Sequence, residues 1–178
     1  MLKKMVIMPW NTNFFQMFDN EILNTKERKE MLNSISNYYD INIANLEEYN
    51  FYINRNTRKV YISNFNIKET KLNLPKINSH GMYFASIHDN KRIRLSIEGS
   101  KLIKPNKNYI KLSEENLKSY VSGEDLFSEE VYEINYDKRA PFLIVIYKDE
   151  NIGCVNLKDK IFMNYVPKSR RLEFNRIF

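Results

Sequence analysis

Residues Tyr109 to Leu126 read "YIKLSEENLKSYVSGEDL". Several structural signals follow one another there. Tyr109 to Leu112 is a short β-prone run. Ser113 can then cap a helix through its side-chain oxygen, and Glu114 and Glu115 supply the negative charge that a helix N-terminus favours. Gly123 stands where a left-handed residue ends the helix. Leu117, Tyr120 and Val121 fall on one face of that helix. A strand leading into a capped helix opens a second unit of the chain. The polar, proline-containing break "KPNKN", Lys104 to Asn108, lies just before it and is the best boundary. The expected organisation is residues 1–104 followed by residues 105–178.

Downstream, "EVYEINY" alternates as a strand does, and "PFLIVIY" is a continuous apolar run expected to lie centrally in a sheet. "NIGCVNL" and "KIFMNYV" follow after tight charged turns. So many short strands with turn signals predict a small barrel. Upstream, "NTKERKEMLNSISNYY" is a helix, with Asn24 and Glu27 at capping-box spacing and Met31, Leu32, Ile35, Tyr38 and Tyr39 on one face. "FYINRNTRKVYIS", Phe51 to Ser63, reads as a hairpin. A second hairpin joins Met82–Ile87 to Arg92–Ile97 around Asp89-Asn90. In the returning strand Ile93, Leu95 and Ile97 would face one way, and Arg92, Arg94 and Ser96 the other. The fold class is therefore α+β: an N-terminal α/β unit with a small antiparallel sheet, then a C-terminal β barrel.

The chain has 178 residues, enough for one domain or two small ones, and is 43% hydrophobic and 28% charged, which excludes a disordered chain. No apolar run approaches the roughly 20 residues of a membrane span, and the stretch after "MLKK" is too short for a signal sequence. One cysteine, Cys154, cannot form an internal disulfide, so a cytoplasmic protein with no membrane association is expected. The net charge of +6 is segregated. Lys91–Lys111 is basic, Leu112–Asp137 acidic, and Lys158 to the end basic again. Such a chain suits a polyanionic partner, although solvated charged faces give the same counts.

No trace of catalysis accompanies these charges. Gly81, Gly99, Gly123 and Gly153 are too scattered for a phosphate-binding loop. His80 and His88 lack partners at metal-ligand spacing, and Cys154, in mid-strand, reads as buried and inert. Glu129 and Glu130 are adjacent and point apart. No enzyme, cofactor or metal is expected.

The second unit resembles a PUA domain, the small RNA-binding pseudo-barrel of pseudouridine synthases, archaeosine transglycosylases and ribosome-biogenesis factors. The likeness is carried by "YIKLSEENLKSYVSGEDL", by "APFLIVIYKDENIGCVNL" and by "MNYVPKSRRL". The last is similar to the Asn-x-x-Pro-Lys-x-x-Arg ending of the PUA-like module of Fmu-type rRNA cytosine methyltransferases. The first unit resembles the pre-PUA domain of ribosome-biogenesis proteins through "RKVYISN" and "GMYFASIHDNKRIRLSIEGSKLI". The two together look like a standalone, archaeal-type relative without a methyltransferase domain. This chain departs from the family in having Phe127–Glu129 and Ala140 where further glycines are common. It also departs in the acids Glu114, Glu115, Glu124, Asp125, Glu129 and Glu130 along the helix and following strand, which would repel a phosphate backbone.

The resemblance implies an RNA-binding protein, acting on rRNA or tRNA in ribosome biogenesis or RNA modification as a non-catalytic module. The matched cations are Lys168, Arg170 and Arg171, with Asn164 as a polar contact. Lys91, Arg92, Arg94, Lys101, Lys104 and Lys107 form a second basic patch that would join them if the C-terminal turn packs nearby. Tyr165 reads as a core residue, with base stacking as the alternative. The competing function is an adaptor, in which the acidic segment docks on a basic partner such as an RNA methyltransferase or ribosomal protein.

Overall fold

The structure is a computed structural model, and it describes residues 20–64, 81–89, 92–129, 131–137 and 140–173. His80, Lys91 and Glu130 lie outside them. The chain builds two sheets. The first has the order β1 (Asn20–Ile22), β2 (Asn50–Asn54), β3 (Lys59–Ser63), β4 (Met82–Ile87) and β5 (Ile93–Leu95), every neighbouring pair antiparallel. Helix α1, Thr25–Tyr39, covers one face and buries Met31, Leu32, Ile35 and Tyr39 on it, as the periodicity predicts. Its capping box is complete: the Asn24 side chain accepts from the Glu27 amide, and the Glu27 carboxylate accepts from the Asn24 amide.

The second hairpin ends earlier than its alternation suggests. Strand β5 stops at Leu95, and Ile97 opens the short helix α2, Ile97–Lys101. Ser96 causes the switch. Its hydroxyl accepts from the Gly99 amide at 2.8 Å and donates to the Tyr83 carbonyl at 2.6 Å. The cap satisfies an otherwise orphaned helix amide and ties it to β4.

The second sheet holds β6 (Tyr109–Leu112), β7 (Leu126–Phe127), β8 (Glu133–Asn135), β9 (Phe142–Tyr147), β10 (Glu150–Lys158) and β11 (Ile161–Asn164) in the order β7-β11-β10-β9-β6-β8. It curls into a half-barrel around Ile110, Leu143, Val145, Val155 and Phe162. Helix α3, Glu114–Ser122, lowers Tyr120 into that core. Ser113 caps the helix, and Gly123 ends it at φ 89°. Strand β9 is central and buried on both faces, as its unbroken apolar run requires. It runs parallel to β6, with Tyr109 opposite Ile144.

The outer face of this sheet packs on the first one: Ile144 belongs to the same cluster as Ile35, Phe84 and Leu95. Polar groups secure the junction. The Tyr38 hydroxyl donates to the Phe142 carbonyl and accepts from its amide, both at 3.0 Å. Asn108, buried in a left-handed conformation, donates through its side chain to the Tyr38 carbonyl and accepts from the Asp137 amide at 2.9 Å. Asn151, also buried, donates to the carbonyls of Ser100 and Ile103, each at 2.7 Å.

Candidate nucleic-acid interface

Strand pairing decides which side chains share the face of the first sheet that points away from α1. Tyr61 lies opposite Tyr83, Lys59 opposite Ser86, and Ser86 opposite Arg94. These residues therefore line one surface. The Tyr61 and Tyr83 rings are 5.7 Å apart, and the Lys59 ammonium sits 5.6 Å from the Tyr83 centroid. At the far edge the Arg94 guanidinium lies 3.9 Å from the centroid of Tyr165, just past the end of β11. A cation over a ring gains electrostatic attraction that rises as water is excluded. Tyr165 is 37% exposed, so it is not the core residue that its strand context suggests. The result is a belt of alternating aromatic and cationic groups that passes from one sheet to the other.

Between β5, α2 and the C-terminal turn the belt opens into a cleft of about 470 Å³. Arg94, Glu98, Tyr120, Tyr165, Ser169 and Arg170 are among the residues around it. Arg170 is ion-paired to Glu98 across the opening. Burial raises the Glu98 pKa, but hydrogen bonding to Arg170 and to its own backbone outweighs this and leaves the carboxyl below its usual range. The glutamate therefore stays ionised beside the Arg170 guanidinium. Lys168 lies exposed on the same turn, and Arg92 lies exposed at the entrance to β5, with its Nε donating to the Asp89 carbonyl at 3.2 Å.

The other cations and the amide named from sequence sit differently. Asn164 is fully engaged: its Nδ2 donates to the carbonyls of Tyr120 and Glu124, and its Oδ1 accepts from the Val166 amide. It locks the end of α3 to β11. Arg171 is half-buried, donates from Nε to the Val166 carbonyl at 3.1 Å, and lies where a side chain at Gly123 would have to go. Lys101 and Lys104 border a separate depression with Ile41, Asn42 and Asn45, and Lys107 borders another with Ser34 and Asn37. Helix α2, whose last residue is Lys101, turns the chain away from the belt, and Lys104 and Lys107 follow it. Lys59, Tyr61, Tyr83 and Glu98 were missed from sequence. The alternation of β3 was visible there, but not which of its neighbours would lie across from it.

His88 extends the belt. Its ring centroid lies 4.9 Å from that of Phe142, and its Nε2 is 3.0 Å from the Ser86 hydroxyl. Burial, and then Arg94 and Arg92, push its pKa below the ordinary histidine value, with Asp89 acting in the opposite sense. Between the folded pKa and about 6.5 the unfolded chain binds more protons, so stability falls as pH drops through that window. Urea unfolding at pH 7 and pH 5.5 should therefore show a larger loss for the parent than for His88→Gln. Cys154 is buried, and burial pushes its thiol up to about 12, so it stays protonated and unreactive at neutral pH. Among the described residues no three His, Cys, Asp or Glu side chains are grouped to hold a metal ion. Nor is any helix among them long and apolar enough to cross a membrane.

Residues 107–172 match the family described as the methyltransferase RsmF PUA domain. Among solved structures, a conserved PUA domain protein from Thermoplasma acidophilum superposes with a TM-score of 0.55 at 14% identity, over 82% of this chain and 81% of the other. That likeness extends the shared fold across both sheets. No curated protein matches the chain.

Proposed function

We propose that this chain, which over residues 107–172 carries a PUA domain related to the modules of Fmu-type methyltransferases, is a non-catalytic RNA-binding protein that acts on rRNA or tRNA. The observation that carries this reading is the Arg94–Tyr165 stack, which joins cations of the first sheet to those of the C-terminal turn. Lys168 and Arg92 would neutralise phosphates, and the tyrosines would supply faces for unpaired bases. The α3 surface, with Glu114, Glu115, Glu124 and Asp125 exposed, repels phosphate and leaves the belt as the favourable approach. The same acidic surface, beside Phe127 at 54% exposure, supports a second reading in which a basic protein such as a methyltransferase or ribosomal protein docks there.

The test is anisotropy with labelled tRNA and rRNA fragments across a salt series. Log affinity should fall linearly with log salt. Arg92→Glu/Lys168→Glu should lower affinity by about a hundredfold at low salt and flatten the slope, with thermal stability unchanged. Equal binding by parent and double variant would overturn the belt as the binding surface. Nuclease-insensitive capture of one basic protein, with no RNA affinity, would favour the second reading.

A further inference from the structure

Lys101, Lys104 and Lys107 recur at every third residue where the chain passes from the first sheet to the second. That segment is tied down. The amides of Asn106 and Lys107 donate to the Tyr39 carbonyl at 3.0 and 3.2 Å, and the Asn106 side chain donates to the Asp40 carbonyl at 2.6 Å. The Asn45 side chain donates to the Leu102 carbonyl at 2.7 Å. The segment therefore lies across the C-terminal end of α1. Amide groups already satisfy the carbonyls of Tyr38, Tyr39 and Asp40 there, so the lysines are not needed as caps. Among the described residues none of the three ammonium groups forms an ion pair. Lys101 and Lys104 are exposed and border a depression of about 560 Å³ with Asn42, Asn45 and Asn106. The Asn42 Oδ1 accepts from the Ala44 amide at 2.8 Å, which leaves its Nδ2 group to donate. The acids nearest in sequence, Asp40, Glu47 and Glu48, do not line the depression. The belt lies on the face of the first sheet that points away from α1, whereas the depression directly follows α1 on the covered side. One straight RNA segment on the belt does not pass over both.

We propose that Lys101 and Lys104, with the Asn42 amide, bind the phosphates of a second RNA segment while the belt holds the first. This rests on the RNA-binding reading and names the substrate class: RNA folded so that two phosphate-bearing segments diverge, over a lone stem. Lys107, half-buried beside Ser34 and Asn37, extends the second contact along α1. Once the belt has engaged one segment, the second contact becomes intramolecular, so affinity for a two-armed RNA exceeds that for either arm alone. The grip selects shape and not sequence, because phosphate contacts carry no base identity. The pinned backbone matters for this, since lysines on a fixed segment face the second arm without first paying to order a loop.

The experiment compares labelled tRNA, whose stems diverge, with a hairpin of one short stem. The parent should bind tRNA about tenfold more tightly or better. Lys101→Glu/Lys104→Glu should abolish that preference, flatten the tRNA salt slope by about 2, and leave hairpin affinity and Tm at the parent level. Lys158→Glu/Lys160→Glu makes the same charge change at exposed positions beside the β10–β11 turn and should leave the preference intact. Equal affinity of the parent for the two RNAs would overturn the second site and leave RNA binding standing. So would a tRNA preference that survives in the Lys101/Lys104 variant. Loss of hairpin affinity in that variant would mean one continuous surface, and loss of the preference in the Lys158/Lys160 variant would mean an effect of net charge; either overturns the proposal. No affinity of the parent for either RNA would overturn both readings.

Discussion

Replacing Asn151 by aspartate should destabilise the fold more than replacing it by alanine, although aspartate has nearly the same shape. The Asn151 amide gives both its hydrogens to carbonyls at the end of α2, those of Ser100 and Ile103, in a buried site where the two sheets meet. Alanine removes the donors and leaves carbonyl oxygens without them, at a cost of about 2–4 kcal/mol. Aspartate aims a carboxylate at those same oxygens, so repulsion and the burial of charge are added to the lost bonds. Its pKa in the folded protein must rise above the unfolded value near 3.9. The penalty is therefore full above that raised pKa and shrinks as pH falls toward 3.9. Urea titrations at pH 7.5 and pH 5 should show Asn151→Asp recovering part of its loss at the lower pH, with Asn151→Ala unchanged relative to the parent. An aspartate variant as stable as the parent at pH 7.5 would mean that the amide does not hold the sheets together.

Gly99→Ala tests how closely α2 sits on the first sheet. In an open helix this substitution stabilises by up to about 1 kcal/mol. Here a Cβ would lie 2.1 Å from the Phe84 carbonyl oxygen and 3.0 Å from its carbon. Backbone cannot swing aside as a side-chain tip can, so the helix must lift and loosen the Ser96 cap and the 2.8 Å bond from the Ser96 amide to the Phe84 carbonyl. A loss of about 3 kcal/mol follows, lowering Tm by about 10 °C in a chain of this size. A Tm at or above that of the parent would mean that the backbone yields at little cost.

These two sites also mark the limit of what the sequence displays. Helices α1 and α3 are legible because their caps are local: Asn24 with Glu27, and Ser113 with Gly123, act within a few residues. Helix α2 is not, because Ile93, Leu95 and Ile97 keep a strand's alternation until the Ser96 hydroxyl interrupts it. Turn residues announce hairpins, but nothing local announces the parallel pairing of β6 with β9. The interface divides in the same way. Arg92, Arg94, Lys168 and Arg170 are visible as charges, and the fold gathers them. Lys101, Lys104 and Lys107 are equally visible as charges, but the bend at α2 carries them elsewhere. Asn164 sits in the ending that looked most like an RNA contact, yet tertiary hydrogen bonds occupy its whole side chain. Sequence proximity is a poor guide to shared surface wherever a short helix redirects the chain.

The pairing of β6 with β9 also sets a timetable for biosynthesis. Tyr109–Leu112 must wait for Ile144–Tyr147 before its inner edge is hydrogen-bonded, and the core beneath α1 must wait for Ile144 as well. A nascent chain that has delivered the first sheet to the ribosome exit therefore holds an open apolar face and an unpaired strand edge, both hazards for aggregation. Native closure comes late in translation, once the central strand has emerged, and a chain arrested before Phe142 should depend on chaperones in a way that the finished protein does not.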